Sequence, residues 1–207
     1  MNERVETSSE IVRRDRSFGP VILEVGPAPV RRSAPVEERF AALVRCITFQ
    51  LLATSSANTI HQRVIDACGG VVNVDSVLTT GLERLREAGL SRSKAAAMID
   101  VSQRVADERI TLRRHGRMSD DKVVTEVTAA HGVGPWTAQM YLMHTLGRRD
   151  VWPAGDFGVR NGWSLIHDLD KMISEKELRE RGETFVGLRS DVAWYCWQAV
   201  HLNRANQ

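Results

Sequence analysis

The chain has no apolar run approaching the roughly 18 residues that a membrane-spanning helix needs, so no contact with a membrane is expected. Its first residues are polar and charged through Arg16, which is not a signal-peptide pattern; a cytoplasmic, nucleoid-associated location in a bacterium is the expectation. Cysteine is scarce. Cys46, Cys68 and Cys196 are odd in number, widely spaced and set in apolar helical patterns, which argues for buried thiols rather than disulfides or metal ligands. An excess of one charge is lacking too: 28 Lys and Arg face 26 Asp and Glu, and a net +2 does not by itself announce a nucleic-acid binder. No stretch alternates polar and apolar residues convincingly, so no sheet is expected and the class is all-α.

What is present is enough apolar material, 43% of 207 residues, for one core or two lobes sharing a cleft. Residues 1–16 have no sustained period and read as a flexible arm. A short helix is expected over 17–25, with Pro20 in its first turn and Gly26 at its end, then a linker to Pro35. Over 36–52, Phe40, Leu43, Val44, Ile47 and Leu51 recur at three and four residues, the mark of an amphipathic helix. Further helices are predicted over 57–68, 74–79 and 82–88, and from Ser91 as cap to about 107, before a basic loop at 108–119. Basic clusters occur at Arg92 with Lys94, at Arg113-Arg114-His115-Arg117 and at Arg148-Arg149; each alone reads as a solvated face.

The most informative stretch runs from Val123 to Arg160. A helical pattern enters His131-Gly132-Val133-Gly134-Pro135, and a second helix leaves at Trp136. Glycine permits positive φ and close approach of a partner, while proline is preset for a first helical position. Such a turn offers backbone N–H groups at the positive end of a helix, which suits a phosphate oxygen without reading base sequence. An ordinary αα-hairpin has the same pattern, and the glycines alone do not separate the two. Beyond it, Asp156 follows Pro153 and Gly155 and is placed as a helix N-cap.

The run from His131 to Arg160, with Thr137-Ala138 after the turn and Asp156 at this distance, resembles the helix-hairpin-helix (HhH-GPD) DNA glycosylase superfamily. Within it, the run is most similar to the alkylation-repair branch, bacterial 3-methyladenine DNA glycosylase II, in a compact form without an N-terminal β domain. The resemblance implies two helical lobes with a DNA- and base-binding cleft between them: residues 17–37 plus 149–207, and 38–148 with the hairpin at about 120–146. It assigns Asp156 as the catalytic carboxylate, where an anion stabilises positive charge building on the deoxyribose and guides water to the sugar carbon. It places Gly132, Val133, Gly134 and Thr137 on the DNA backbone, Trp136 and Trp197 in the base pocket, and Gln50 with Leu51 as the wedge that fills the gap left by an extruded base. Leu51 also reads as an extension of the core stripe, and both tryptophans as core.

Relatives that also cut the strand carry a lysine where this chain has Trp136, so the resemblance implies a monofunctional glycosylase. No cofactor is expected: no iron–sulfur cluster, since only Cys196 lies near the C-terminus, and no metal beyond a sodium or potassium ion at hairpin carbonyls. The implied partner is double-stranded DNA containing a damaged base, engaged by a monomer. Cationic alkylated purines of the 3-methyladenine and 7-methylguanine type stack well on electron-rich indoles and leave without protonation. Departures occur at Phe49, Leu51 and Gly187-Leu188, where the branch has other residues. Excision of uracil, hypoxanthine or oxidised bases, or a non-catalytic DNA-binding or damage-sensing role, are the alternatives.

Overall fold

The structure, a computed structural model, describes residues 3–205. Its helices are α1 (Glu3–Arg14), α2 (Gly19–Val25), α3 (Arg39–Phe49), α4 (Thr54–Ala67), α5 (Val74–Glu87), α6 (Arg92–Ala106), α7 (Leu112–His115), α8 (Asp120–Thr128), α9 (Pro135–His144), α10 (Phe157–Ile166), α11 (Glu175–Arg181) and α12 (Arg189–Ala205). No strand occurs among the described residues, and none of their helices is long and apolar enough to cross a membrane. The chain divides into two compact units, Met1–Arg31 with Arg148–Gln207, and Arg32–Gly147. The expected boundary near residue 37 moves forward to 31, because the backbone N–H of Ala34 bonds to Thr145 O at 2.7 Å, and Gly147 packs against Arg32.

In the discontinuous unit, the supposed N-terminal arm is a helix. Ile11 of α1 is fully buried, Ser8 Oγ lies 2.8 Å from Tyr195 Oη, and Arg14 donates to the carbonyls of Thr184 and Val186. The polar average composition of residues 3–14 hides this; residues 1 and 2 lie outside the described range. The core gathers Phe18, Trp152, Trp163 and Phe185 in edge-to-face contacts, with His167 stacked on Trp163 at 4.2 Å. His167 in turn contacts Asp15 Oδ2 at 2.8 Å. Burial works to raise the Asp15 pKa, but bonds from His167 and Ser17 outweigh it and hold the carboxyl below its ordinary value. Helices α10 and α12 meet where Gly162 lies on the backbone of Cys196, so closely that a Cβ there would fall 1.8 Å from the carbonyl oxygen.

The central unit is cored by Leu43, Ile47, Met98, Val101, Val123, Val127 and Tyr141, all buried. Helix α5 is one run interrupted at Gly81, whose φ of 71° no interior helical residue adopts; this is the break between the two short helices expected from the sequence. The expected loop at 108–119 instead contains α7 and is pinned by buried Ile110, Leu112 and His115. His115 contacts Tyr141 Oη through Nδ1 and Glu126 through Nε2, each at 3.1 Å, and Glu126 also accepts from the Thr111 N–H. The three cysteines are free and buried; burial pushes the Cys46 thiol up to about 12.

Candidate active site

In the central unit, α8 ends at Thr128 and the chain turns through Ala129–Gly134 before Pro135 opens α9. Gly132 adopts φ 73°, and a Cβ there would lie 3.0 Å from the Ala97 side chain, so the turn itself requires glycine. Gly134 differs. Its φ is −97°, an extended conformation open to any residue, and a Cβ built there meets nothing within 4 Å. The positive φ that glycine permits is thus used at Gly132 and not at Gly134, and nothing inside the unit explains the missing side chain of Gly134.

Val133 is buried, and its N–H already bonds to Ala130 O at 3.2 Å, so it anchors the turn rather than offering a donor. Thr137 is buried as well, and its hydroxyl accepts from Gln50 Nε2 at 2.8 Å; it too faces the protein. The same Gln50 amide donates to Gly132 O at 3.1 Å, so Gln50 is a strut between the end of α3 and the hairpin. Of the hairpin carbonyls that were candidates for a sodium or potassium ion, those of Ala130 and Gly132 already accept protein hydrogen bonds.

Leu51 is not part of the α3 stripe. The helix stops at Phe49, Leu51 takes φ 53°, and its side chain is fully exposed, at 102%. A non-glycine residue in the left-handed region costs about 1–2 kcal/mol, and exposing leucine recovers none of it. The α3 terminus is braced by Lys94, whose ammonium donates to Thr48 O at 2.9 Å, a cation at the negative end of a helix. Partial burial lowers the Lys94 pKa from its ordinary value.

In the other unit, Asp156 is the N-cap of α10, as its sequence context indicates. Its Oδ1 accepts from the Val159 N–H at 2.8 Å and from Trp197 Nε1 at 2.9 Å. The loop before it is fixed by turns from Trp152 O to Ala154 N and from Pro153 O to Asp156 N, both 2.9 Å. Trp197 comes from α12 and is half-buried, with its pyrrole edge against Gly158, where a Cβ would lie 2.8 Å from Cδ1. A preorganised, half-buried carboxylate with one oxygen doubly held is suited to stabilising developing positive charge.

Residues 44–187 match the HhH-GPD superfamily of base excision DNA repair proteins. The chain belongs to this superfamily. DNA-3-methyladenine glycosylase 1 of Schizosaccharomyces pombe is 27% identical over 191 residues, covering 91% of this chain and 84% of its own. A DNA-3-methyladenine glycosidase structure from Bacillus halodurans superposes with TM-score 0.78 at 27% identity, over 99% of this chain and 92% of that one. The S. pombe 3-methyladenine DNA glycosylase bound to abasic DNA shares the fold, with TM-score 0.85 at 24% identity and 93% and 95% coverage.

In this HhH-GPD protein several supporting residues escape a sequence reading. Asp100 of α6 accepts the His131 N–H at 2.7 Å while paired with Arg104, tying the hairpin to a helix 31 residues earlier. The i, i+4 spacing of Asp100 and Arg104 is visible in the sequence, but not the hairpin contact. Gly158 and Gly162, also four apart on α10, form the smooth face on which α12 and Trp197 lie; that spacing was the available signal. Trp136 is half-buried at the start of α9, in the central unit, whereas Asp156 and Trp197 belong to the other. Among the described residues no three His, Cys, Asp or Glu side chains gather into a metal site.

Proposed function

We propose that this protein is a monofunctional DNA glycosylase of base excision repair that hydrolyses the glycosidic bond of alkylated purines turned out of duplex DNA, with Asp156 as the catalytic carboxylate. The observation that carries this is the N-capping Asp156 with Oδ1 fixed by Val159 N–H and Trp197 Nε1, in a chain whose relatives are named for 3-methyladenine excision. Asp156 stabilises the oxocarbenium-like sugar and guides water to its carbon; the alkylated base leaves without a general acid. Trp136, where strand-cutting relatives carry a lysine, stacks on the cationic base, and its indole offers no amine for a covalent intermediate.

Gly132 and Gly134, with the uncapped N-terminus of α9, receive a backbone phosphate. Gly134 supports this most directly, because its missing Cβ leaves room that no part of the unit fills. Leu51 enters the duplex at the vacated base and takes over its stacking. Gln50, held on the hairpin, couples that wedge to the phosphate grip. The protein acts as a monomer.

Methylated duplex DNA tests the substrate class. Release of 3-methyladenine or 7-methylguanine, with strand breaks appearing only after alkali, is the expected result. Release of uracil, hypoxanthine or an oxidised base without release of methylated ones would transfer the assignment to another glycosylase class.

A further inference from the structure

A cavity of about 970 Å³ opens within the central unit and is lined by Ser33, Val36, Met118 and Ser119 together with five cationic side chains: Arg39, Arg113, Arg114, Arg117 and Lys122. No Asp or Glu among the described residues lines it, and none of the lining residues belongs to the machinery assigned above. Its floor holds a buried charge. Arg39 is only 7% exposed, yet among the described residues its guanidinium bonds to neutral acceptors alone: Leu112 O at 2.8 Å, Ala34 O at 3.2 Å and Ser33 Oγ at 3.3 Å.

A buried guanidinium without a counter-ion is unusual, because charges removed from water are normally paired. The surrounding cations do not relieve it. Arg114, Arg117 and Lys122 are exposed and have no ion-pair partner among the described residues; Arg113 meets Glu108 at 3.3 Å at the surface. Glu126, on the same helix as Lys122, is turned to Thr111 and His115 instead. Asp120 and Asp121 occupy the first turn of α8 without lining the cavity.

We propose that this cavity is an anion site for a chain of phosphate groups, separate from the hairpin. Guanidinium and ammonium donors form short, charge-assisted bonds to phosphate oxygens, and several cations around one volume favour several phosphates over one. The volume is at the upper end for small-molecule sites, far more than a single orthophosphate fills. Ser119 and Lys122 lie at the N-terminal end of α8 and the hairpin follows its C-terminal end, so the helix, about 14 Å long at 1.5 Å per residue, separates the two sites. Two sources supply such a ligand: a free polyphosphate, as in a nucleoside triphosphate, or the backbone of a second nucleic-acid segment.

Titration calorimetry of the full chain with sodium tripolyphosphate tests the site, comparing wild type with the triple variant Arg114→Ala, Arg117→Ala, Lys122→Ala. These side chains are exposed, so the variant is expected to keep its melting temperature and its base release from a short methylated duplex. Saturable binding by wild type, weakened at least about tenfold in the variant, supports the site. A second arm uses a short single-stranded oligonucleotide. A bound stoichiometry that falls by one in the variant marks nucleic-acid backbone as the source, and an unchanged stoichiometry alongside lost tripolyphosphate binding marks free polyphosphate. Absence of saturable tripolyphosphate binding to wild type, or equal affinity in the variant, overturns the proposal whether or not the glycosylase assignment stands.

Discussion

Trp197 Nε1 donates to Asp156 Oδ1 at 2.9 Å, and the same oxygen caps α10 through Val159 N–H. One atom of the proposed catalytic carboxylate thus joins a helix start to a side chain 41 residues later. The indole meets Asp156 because Gly158 and Gly162 let α12 lie against α10 without side chains between them. The bond fits a positioning role for Trp197 on that carboxylate.

Trp197→Phe keeps most of the ring and removes the donor. Losing one hydrogen bond to a charged group corresponds to about 1.5–3 kcal/mol, so kcat for base release is expected to drop roughly 10- to 100-fold with KM little changed. Single- and multiple-turnover kinetics on two different alkylated bases check this. A loss confined to one base, carried mainly in KM, would instead assign Trp197 to base stacking.

The hairpin glycines separate in a pair of variants. Gly132→Ala meets both a left-handed φ of 73° and the Ala97 side chain, and is expected to lower stability by about 1–3 kcal/mol. Gly134→Ala meets nothing; its stability cost is that of a poorer N-cap, about 1 kcal/mol or less, but its DNA affinity falls at least tenfold as the new methyl occupies the phosphate position. Thermal melts and fluorescence anisotropy on the same samples report both quantities. Intact DNA affinity in Gly134→Ala would remove the hairpin from the DNA interface.

Much of this was legible in the sequence, for reasons that also show where legibility ends. Helix starts carry local signals, and Asp156 and Ser91 cap as read. Glycine breaks at Gly81 and Gly132 are local as well. What the sequence conceals is contact at a distance. Helix α1 looks like a polar arm until Ser8 meets Tyr195, and neither the bond from the Gln50 amide to Gly132 nor the hold of Asp100 on His131 has a local sign. Leu51 misleads for a different reason: it stands one turn after Ile47 and continues the apolar period, although the helix has already ended at Phe49.

Leu51→Gly sets fold against function. Glycine tolerates φ 53° and no packing is lost, so the melting temperature is expected to stay level or rise slightly. Base release from duplex DNA is expected to fall about tenfold or more, since the cost of unstacking a base, a few kcal/mol, is no longer offset by the wedge. Full activity on duplex with this variant would show that Leu51 has no part in extrusion.

His115 supplies a pH dependence. Its side chain is fully inaccessible; burial holds its pKa below the ordinary value of 6.5, opposed by Glu126. In the unfolded chain the imidazole takes up a proton near 6.5, and in the folded protein only at lower pH. Between those values the unfolded state binds more protons, so stability declines as pH falls below 6.5 and levels off beneath the folded pKa. His115→Gln keeps a polar group facing Glu126 and Tyr141 without titrating there, and is expected to show a shallower decline in urea midpoints from about pH 7 to 5. Parallel slopes in the two proteins would rule out His115 as the source.

The most direct test is single-turnover base release by Asp156→Asn on methylated duplex DNA, with melting temperature and DNA affinity measured alongside. Asparagine is an equally good N-cap and its Oδ1 can still accept from Val159 and Trp197, so fold and binding are expected to match wild type. Loss of the negative charge is expected to slow release by on the order of 100- to 1000-fold. A variant that releases methylated bases within a few-fold of wild type would contradict Asp156 as the catalytic carboxylate.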